Sequence, residues 1–252
     1  MAVYDEFARV YSRGEYPEFS RHMGEHLRGV LEQIGVSPKT LLDIACGEGT
    51  FAVAMARLGF NITGIDVSPR MLERAREQAA EAGVEIEFTH GDVRTLTFEA
   101  RFDLVTCWYD SLNYLLESAD LDKTFKGVAR ALKPGGVFIF DMNSLFGLAK
   151  VWREAGCYVK KENAGTFEIH RHDYDFETDI GSVMITCFLK ENGHWRRFDE
   201  EHRERAYPHQ EILDMLREAG LQTLASWGSF RDRSEVTPES ARIWYISRKG
   251  MG

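Results

Sequence analysis

Residues 41–51 read LLDIACGEGTF, an apolar run followed by a glycine-rich turn and a second apolar run. The apolar residues up to Ile44 predict a short buried strand, which Gly47 and Gly49 interrupt. The apolar run that starts at Thr50 predicts a helix. In an open α/β sheet, this order of strand, glycine turn and helix presents backbone N–H groups and a helix N-terminus to a ligand. The stretch therefore predicts the ligand-binding loop of such a sheet.

Two acidic residues near this turn indicate the kind of ligand. Asp66 ends the next apolar run, and an acid about 20 residues beyond the glycines commonly holds the ribose hydroxyls of an adenosine. The spacing Gly47-x-Gly49-x-x-Ala52 also satisfies a dinucleotide-binding pattern, so an NAD-binding oxidoreductase is an alternative. Asp43 argues against NAD, because a carboxylate beside the turn would repel a pyrophosphate. It would suit a ligand with an ammonium and a sulfonium, and S-adenosylmethionine carries both.

The stretch D-I-A-C-G-E-G-T at 43–50 resembles the first motif, D-x-G-x-G-x-G, of the class I S-adenosylmethionine-dependent methyltransferases. Ala45 replaces the first glycine of that motif, a change that is tolerable if this residue keeps an ordinary backbone conformation. Four further matches follow in the order that the family shows, so the resemblance covers residues 40–142. They read GIDVSPRML at 64–72, GDV at 91–93, FDLV at 102–105 and LKPGGVFIFD at 132–141.

The resemblance implies a doubly wound, Rossmann-like α/β fold with a seven-stranded sheet, and S-adenosyl-L-methionine as the cofactor. In the family, the acid of the GDV motif accepts a hydrogen bond from the adenine amino group, and the next backbone N–H meets the ring. These roles come to Asp92 and Val93 by resemblance. Motifs and resemblance together assign to the cofactor Tyr11, Asp43, Ala45, Cys46, Gly47, Gly49, Asp66, Val67, Met71, Gly91, Asp92, Val93, Cys107, Trp108 and Asn113.

The loop at 107–114 reads CWYDSLNY and should face the transferred methyl, because ligands of open sheets bind outside the carboxyl ends of the strands. It lacks the N/D-P-P-Y/F tetrapeptide with which many nucleic-acid amino-methyltransferases hold the target nitrogen. It is similar to the D-S-x-N-Y stretch of a subgroup that acts mostly on small molecules. The resemblance therefore implies methyl transfer to N or O of a small-molecule acceptor. Tyr109, Asp110 and His172 are candidate general bases, and no catalytic residue is assigned.

Charge and composition bear on the acceptor and on the compartment. The formal net charge of the 252 residues is −9 and the pI is about 5.5, which argues against nucleic acid, where a basic footprint is expected. RNA stays an alternative acceptor, since Trp108 and Tyr109 could stack on a base. No apolar stretch reaches membrane-spanning length, and the N-terminal residues lack the pattern of a signal peptide. Because the cysteines show no C-x-x-C spacing, we expect a reduced, cytoplasmic protein.

The order of the patterns divides the chain into three regions. Residues 1–36 predict a helical cover segment with an aromatic face that can approach the sulfonium. Residues 37–156 and 208–252 predict the Rossmann-like domain. Residues 157–207 break the alternation of strand and helix, and they predict an antiparallel insertion with a hairpin turn at Asn192-Gly193.

We expect this insertion to form a flap that faces the substrate, since it leaves the sheet at the edge that carries the glycine turn. A dimerisation hairpin, and with it a homodimer, is the alternative. Cationic residues such as Arg171 and His202 would hold an acidic or phenolic acceptor. His170 and His172 share one strand face, but no spacing supplies a third ligand, so no metal is expected. The face predicted to pack on the body consists of Phe167, Ile169, Phe176, Val183, Ile185, Phe188 and Trp195.

Overall fold

A computed structural model describes residues 4, 6–11 and 16–251 of the chain. The strands form two sheets, one of seven strands and one of four. The strands are β1 (Thr40–Ile44), β2 (Asn61–Asp66), β3 (Glu87–His90), β4 (Phe102–Cys107), β5 (Leu132–Asn143), β6 (Cys157–Glu162), β7 (Thr166–Asp175), β8 (Ile180–Glu191), β9 (His194–Arg205), β10 (Leu221–Trp227) and β11 (Arg242–Lys249). The α-helices are α1 (Ala8–Tyr11), α2 (Tyr16–Gln33), α3 (Thr50–Arg57), α4 (Pro69–Ala82), α5 (Ser118–Ala131), α6 (Arg153–Ala155) and α7 (His209–Glu218).

The seven-stranded sheet has the order β10-β11-β5-β4-β1-β2-β3. Strands β1 to β5 run parallel, whereas β11 pairs antiparallel with β5 and β10 pairs antiparallel with β11. The chain proceeds from β1 outward to β3 and then returns to place β4 on the other side of β1. In open α/β sheets, ligands bind at the carboxyl ends of the strands beside such a switch point.

Residues of β1 alternate between two hydrophobic cores, one on each face of this sheet. Leu42 and Ile44 are buried with residues of α5 and α7, whereas Leu41 is buried with residues of α2 and α3. A parallel strand that is apolar on both sides must lie in a sheet that helices cover on both faces. The doubly wound, Rossmann-like fold predicted from the sequence is confirmed.

The four-stranded sheet consists of β6 to β9 in chain order, each antiparallel to its neighbours. Asn192 and Gly193, with φ angles of 50° and 81°, form the hairpin turn between β8 and β9. The predicted antiparallel insertion is therefore present. Strand β6 was not predicted, because its residues are nearly all exposed and show no buried alternation.

The face that the four-stranded sheet buries differs from the predicted one. Along β7 the buried residues include Glu168 and His170, whereas Phe167 and Ile169 are only half-buried. Side chains alternate between the faces of a strand, so burial of the polar set turns the apolar set away. The polar set is buried because it finds partners, as Tyr16 donates to the Glu168 carboxylate. Of the other predicted members, Val183 and Ile185 are buried, Phe188 is half-buried, and Phe176 and Trp195 are exposed.

The described N-terminal residues pack on the four-stranded sheet. Phe7 and Val10 are buried with Val183 and Ile185 of β8. The aromatic spacing from Tyr4 predicts a longer helix than the four residues of α1. Other residues of the predicted cover segment, at 1–3, 5 and 12–15, lie outside the described residues. Within the described part of the chain, no helix is long and apolar enough to cross a membrane.

Candidate functional site

A cavity of about 630 Å³ lies at the carboxyl edge of the seven-stranded sheet, where β1, β2 and β4 end. Most of the residues that the sequence assigns to the cofactor meet there, and Tyr109 joins them. Gly49, Cys107, Asn113, Asp110 and His172 do not line it. The assigned residues that line the cavity are Tyr11, Asp43, Ala45, Cys46, Gly47, Asp66, Val67, Met71, Gly91, Asp92, Val93 and Trp108.

The loop between β1 and α3 turns through three left-handed residues, Ala45, Gly47 and Gly49, with φ angles of 54°, 55° and 81°. Ala45 does not meet the condition of an ordinary backbone conformation, and an L-residue in the left-handed region costs roughly 1–2 kcal/mol. A Cβ on Gly47 would meet nothing within 4 Å, which leaves its backbone open toward the cavity. A Cβ on Gly49 would approach the Ala75 Cβ to 2.9 Å. Helix packing, rather than a ligand, therefore requires the second glycine.

Asp43 is a buried acid in β1 that lines the cavity. The Thr106 hydroxyl donates a hydrogen bond of 2.8 Å to its Oδ1. Burial raises the pKa of Asp43 to about 7, the nearby Asp66 adds to that rise, and the Thr106 hydrogen bond opposes it. A ligand cation would favour the ionised carboxylate and would compete with its proton.

Asp66, at the end of β2, ties the glycine loop to the start of α4. Its Oδ2 accepts the Gly47 N–H and its Oδ1 accepts the Ser68 N–H, both at 2.8 Å. Burial raises the pKa of Asp66, and these two N–H donors act in the opposite direction. Each carboxylate oxygen keeps a second acceptor direction, so ribose hydroxyls can still be accepted. Asp66 thus holds the loop in addition to the ribose role predicted for it.

Asp92 follows β3 and lies beside Arg94, which it contacts at 2.5 Å. The same guanidinium contacts Asp120 at 3.1 Å. Hydrogen bonds from Arg94 hold the pKa of Asp92 below its usual value, so this carboxylate is ionised at neutral pH. Asp92 and Val93 both line the cavity. The adenine contacts that the resemblance assigns to them stay a prediction.

Toward β4, four tyrosines line the cavity together with Trp108. We call Tyr4, Tyr11, Tyr109 and Tyr114 the tyrosine wall. Burial raises the pKa of every phenol in this wall, so all four hydroxyls are protonated at neutral pH. Neutral phenols offer hydroxyl hydrogen bonds and aromatic faces, and the faces attract cations such as a sulfonium or an ammonium.

The backbone of Tyr109 is held by a network of buried charges. Tyr109 and Asp110 have φ angles of 60° and 54°, an unusual pair of left-handed residues. The Asp141 carboxylate in β5 accepts their two N–H groups at 2.7 and 3.0 Å. Arg242 in β11 binds Asp141 and also Asp110, the latter at 2.6 Å. Its guanidinium lies 5.0 Å from the ring centre of Phe19 and 5.5 Å from that of Tyr109. The network thus supports the strained turn.

Three residues that the sequence places at the site support this loop from outside the cavity. Cys107 is fully buried in the core. Asn113 donates from its side-chain amide to the carbonyl oxygens of Asn143 and Arg205, at 3.0 and 2.9 Å. Asp110 is engaged with Arg242 and therefore does not face the cavity.

His172 lies on β7, apart from the cavity. Its ring packs 5.0 Å from that of Trp152 and stacks 5.7 Å from that of Tyr158. Burial and the neighbouring His170 lower the pKa of His172 to about 4. Its position gives no support to the predicted role as a general base. Across residues 4, 6–11 and 16–251, no group of three or more His, Cys, Asp or Glu could hold a metal ion.

Glu200 on β9 anchors the N-terminal segment, a role that the sequence does not indicate. Its carboxylate accepts the backbone N–H groups of Tyr4 at 2.6 Å, Phe7 at 3.1 Å and Glu6 at 3.3 Å. A carboxylate that accepts the unpaired backbone N–H groups at the start of a helix stabilises that helix. The partners lie more than 190 residues apart, so no local spacing could reveal them.

Glu48, within the glycine loop, is another site residue that the sequence motifs do not indicate. It lines the cavity and is 3% exposed. Its Oε1 accepts the Thr50 hydroxyl at 3.0 Å, and its Oε2 has no hydrogen-bond partner. A buried carboxylate oxygen without a partner is costly, so a ligand donor here would be favourable. The only sequence signal was its place between two glycines.

Comparison with known proteins identifies the family. Residues 41–136 match the model of a methyltransferase domain. YqeM of Bacillus subtilis, a protein named as a methyltransferase, is 32% identical to this chain. The match covers 98% of this chain and 97% of YqeM. An S-adenosylmethionine-dependent methyltransferase from Clostridium acetobutylicum, known from its crystal structure, is 30% identical, with a TM-score of 0.84 and coverage of 98% of this chain and 99% of its own. The chain belongs to the S-adenosylmethionine-dependent methyltransferases.

A more distant structure shares the fold of this methyltransferase. The sugar N-methyltransferase KedS8 from a Streptoalloteichus species is 20% identical, with a TM-score of 0.73 and coverage of 99% of this chain and 93% of its own. Membership of the family decides between the two cofactors considered above in favour of S-adenosylmethionine. The cavity fits it, since Asp43 presents a buried carboxylate for its ammonium and the Gly47 backbone is open beside it.

Proposed function

We propose that this methyltransferase acts on a nitrogen or oxygen atom of a small molecule. The observation that carries the proposal is the continuity of one cavity, which the cofactor motifs and the tyrosine wall line together. Its volume of about 630 Å³ lies in the range of small-molecule sites. A macromolecular acceptor would need an open surface rather than a cavity that Tyr4 and Tyr11 of the N-terminal segment help to line.

In this proposal the two ends of the cavity have separate tasks. Asp43 holds the ammonium, Asp66 the ribose, and Asp92 with Val93 the adenine of the cofactor. The bound cofactor supplies a methyl group that is already a strong electrophile. The tyrosine wall orients the acceptor toward it, and positioning in a near-attack geometry contributes roughly 7–11 kcal/mol to lowering the barrier.

The charge of the cavity favours a neutral or cationic acceptor. Arg94 is the one cationic side chain among the described lining residues, and it is paired with Asp92 and Asp120. The flap cations expected to hold an acidic acceptor do not line the cavity, and Arg196 and Arg197 are paired with carboxylates. This charge also disfavours RNA, which needs cations for its phosphates. KedS8 shows that the fold can serve a sugar nitrogen, which supports a small amine as acceptor.

We further propose that residues 157–207 govern the acceptor site indirectly. The four-stranded sheet does not line the cavity, but it seats the N-terminal segment through Glu200 and contacts Tyr114 through His202. The homodimer stays a prediction, to be tested by sedimentation at several protein concentrations. A cytoplasmic location is also proposed, supported by four free cysteines.

The decisive experiment uses methyl-labelled S-adenosylmethionine and a cell extract divided into small molecules, RNA, DNA and protein. We expect the label in the small-molecule fraction, with slower transfer by an Asp43→Asn variant at a cofactor concentration below saturation. Label retained in RNA, and released by ribonuclease, would overturn the proposal.

A further inference from the structure

Tyr114 connects the cavity to the four-stranded sheet. Its hydroxyl lies 2.9 Å from Nδ1 of His202 and 3.2 Å from the hydroxyl of Tyr4. Tyr4 and Tyr114 line the cavity, whereas His202 does not line it and is 2% exposed. A hydrogen-bonded path therefore leads from the acceptor end of the cavity to a buried imidazole.

The charges around His202 favour one tautomer of its ring. Nε2 lies 3.2 Å from Oε1 of Glu200, within ion-pair distance, and makes no hydrogen bond. Burial acts to raise the pKa of Glu200, but His202 and the N–H groups of Tyr4 and Phe7 outweigh it and hold that pKa low. The ionised carboxylate favours a proton on Nε2. Nδ1 is then the acceptor for the Tyr114 hydroxyl.

The remaining groups around His202 leave this arrangement intact. Tyr4 and Tyr114 are neutral because burial raises the pKa of their phenols. Glu204, two positions along the same face of β9, has a pKa raised by burial, and its Oε2 accepts a hydrogen bond of 2.8 Å from the Asn143 side-chain amide. Phe7 packs its ring 5.4 Å from the imidazole. Glu200 is the carboxylate within ion-pair distance of His202 in the described part of the chain.

Few other groups in the cavity can accept a proton from the acceptor. Burial raises the pKa of the Cys46 thiol, and nearby acids add to that rise. Asp92 and Asp120 are paired with Arg94. No histidine is among the described lining residues. Asp43 and Asp66 also line the cavity, but the proposed function assigns them to the cofactor, and Glu117 is exposed. Glu48 is therefore the buried competing base, and the experiment below includes it.

We propose that His202 takes up the proton of the acceptor through Tyr114. The inference rests on the proposed function and concerns acceptors that arrive protonated, such as an ammonium, a phenol or an alcohol. The acceptor N–H or O–H proton passes to the Tyr114 oxygen while the Tyr114 proton passes to Nδ1 of His202. The lone pair left on the acceptor forms the bond to the methyl carbon, and the carbon–sulfur bond breaks with its electrons on sulfur. Glu200 stabilises the imidazolium until the proton leaves to solvent.

The first test does not need the acceptor. NMR of protein labelled with ¹⁵N-histidine and bound to S-adenosylhomocysteine reports the protonation of each ring nitrogen, and a His202→Asn variant identifies the signals. We expect the proton of the His202 ring on Nε2 and not on Nδ1. A proton on Nδ1 would make the Tyr114 oxygen an acceptor and would overturn the proposal.

The second test measures label transfer to the small-molecule fraction of a cell extract as a function of pH. Tyr114→Phe and His202→Asn should lower the rate at pH 7 about a hundredfold, the ordinary contribution of a general base. Their rates should keep rising with pH, whereas the wild-type rate levels off. His209→Asn is the matched control, because His209 Nδ1 lies 3.0 Å from the Tyr245 hydroxyl in a similar pair that does not line the cavity. It should keep the wild-type profile.

Further outcomes decide between the alternatives. If Tyr114→Phe and His202→Asn bind S-adenosylhomocysteine within threefold of wild type, the N-terminal segment is still in place. If their affinity falls by as much as their transfer rate, the relay is overturned. Wild-type profiles in both variants, with the rate lost in Glu48→Gln, would assign the base to Glu48. If the wild-type protein labels no small molecule, the proposed function fails. The NMR measurement of the His202 tautomer still tests the hydrogen-bonded relay, because it needs no acceptor.

Discussion

The two ends of the cavity are built in different ways. The cofactor end comes from one stretch between Asp43 and Val93, in which each strand delivers its loop to the same edge of the sheet. The tyrosine wall joins the N-terminal segment to the loop after β4, and it depends on Asp141, Glu200 and Arg242 from three other strands. We infer that the cofactor end tolerates changes elsewhere in the chain, whereas the acceptor end responds to distant substitutions.

The largest effect is expected at Arg242. An Arg242→Met substitution leaves the carboxylates of Asp110 and Asp141 buried without their cation, which should lower the free energy of unfolding by about 3–5 kcal/mol. Urea unfolding measures this loss. In the folded protein, affinity for S-adenosylhomocysteine should change less than threefold, because the network supports the tyrosine wall and not the glycine loop.

Two further variants sharpen this prediction. Arg242→Lys keeps the charge and folds more readily, and it should impair label transfer more than cofactor affinity. Arg101→Met removes an exposed pair with Glu87 and should cost under about 1 kcal/mol. If Arg242→Lys weakened cofactor binding as much as it slowed transfer, the two ends would not be independent.

The next effect concerns the cofactor end alone. Asp43→Asn keeps an acceptor for Thr106 but loses the charge opposite the cofactor ammonium. A charge-assisted hydrogen bond contributes about 1.5–3 kcal/mol, so we expect affinity for S-adenosylhomocysteine to fall roughly 10- to 100-fold. Calorimetry measures it. Asp103→Asn is the control, because Asp103 caps Lys39 and Thr40 at the opposite edge of the sheet. An affinity unchanged by Asp43→Asn would remove Asp43 from the site.

Cofactor affinity should depend on pH through the same residue. With a pKa of about 7 in the free protein, Asp43 must lose a proton to bind the ammonium. Affinity should therefore fall about tenfold per pH unit below 7 and level off above it.

The free energy of unfolding should depend on pH in the opposite direction. The folded state binds the Asp43 proton more tightly than the unfolded state does, so Asp43 stabilises the fold at low pH. That contribution is fully present below about pH 4 and is lost as the pH rises through 7. Asp43→Asn should remove both dependences, and calorimetry and urea unfolding between pH 5 and 8 test them.

The smallest effect is expected at Ala45. Alanine pays roughly 1–2 kcal/mol for the left-handed conformation, and glycine does not. Glycine also gives the unfolded chain more conformational freedom, which lowers the stability by about 0.4–1 kcal/mol. Ala45→Gly should therefore stabilise the protein by less than about 1.5 kcal/mol, with cofactor affinity unchanged. Ala45→Val should destabilise it. Urea unfolding of both variants measures this, and a less stable glycine variant would show that the loop does not carry strain.

Pattern alone placed the parallel sheet, the glycine turn and most of the residues at the cofactor end. Such features are local, because a strand period and a motif spacing hold whatever the rest of the chain does. The hairpin of the insertion could be predicted for the same reason, from the alternating residues on either side of Asn192-Gly193. Gly49 shows the limit, since its spacing fits a ligand loop while its contact with Ala75 makes it a packing residue.

What the sequence by itself determined is therefore the fold class and the cofactor. Tertiary structure decided which face of the insertion is buried, the left-handed conformation of Ala45, and the position of His172 away from the cavity. It also brought Glu200 to the N-terminal segment and Arg242 to Asp110, contacts between residues 132 or more positions apart. Such contacts follow from the packing of whole elements, and a buried polar group takes whichever partner that packing brings within hydrogen-bond reach.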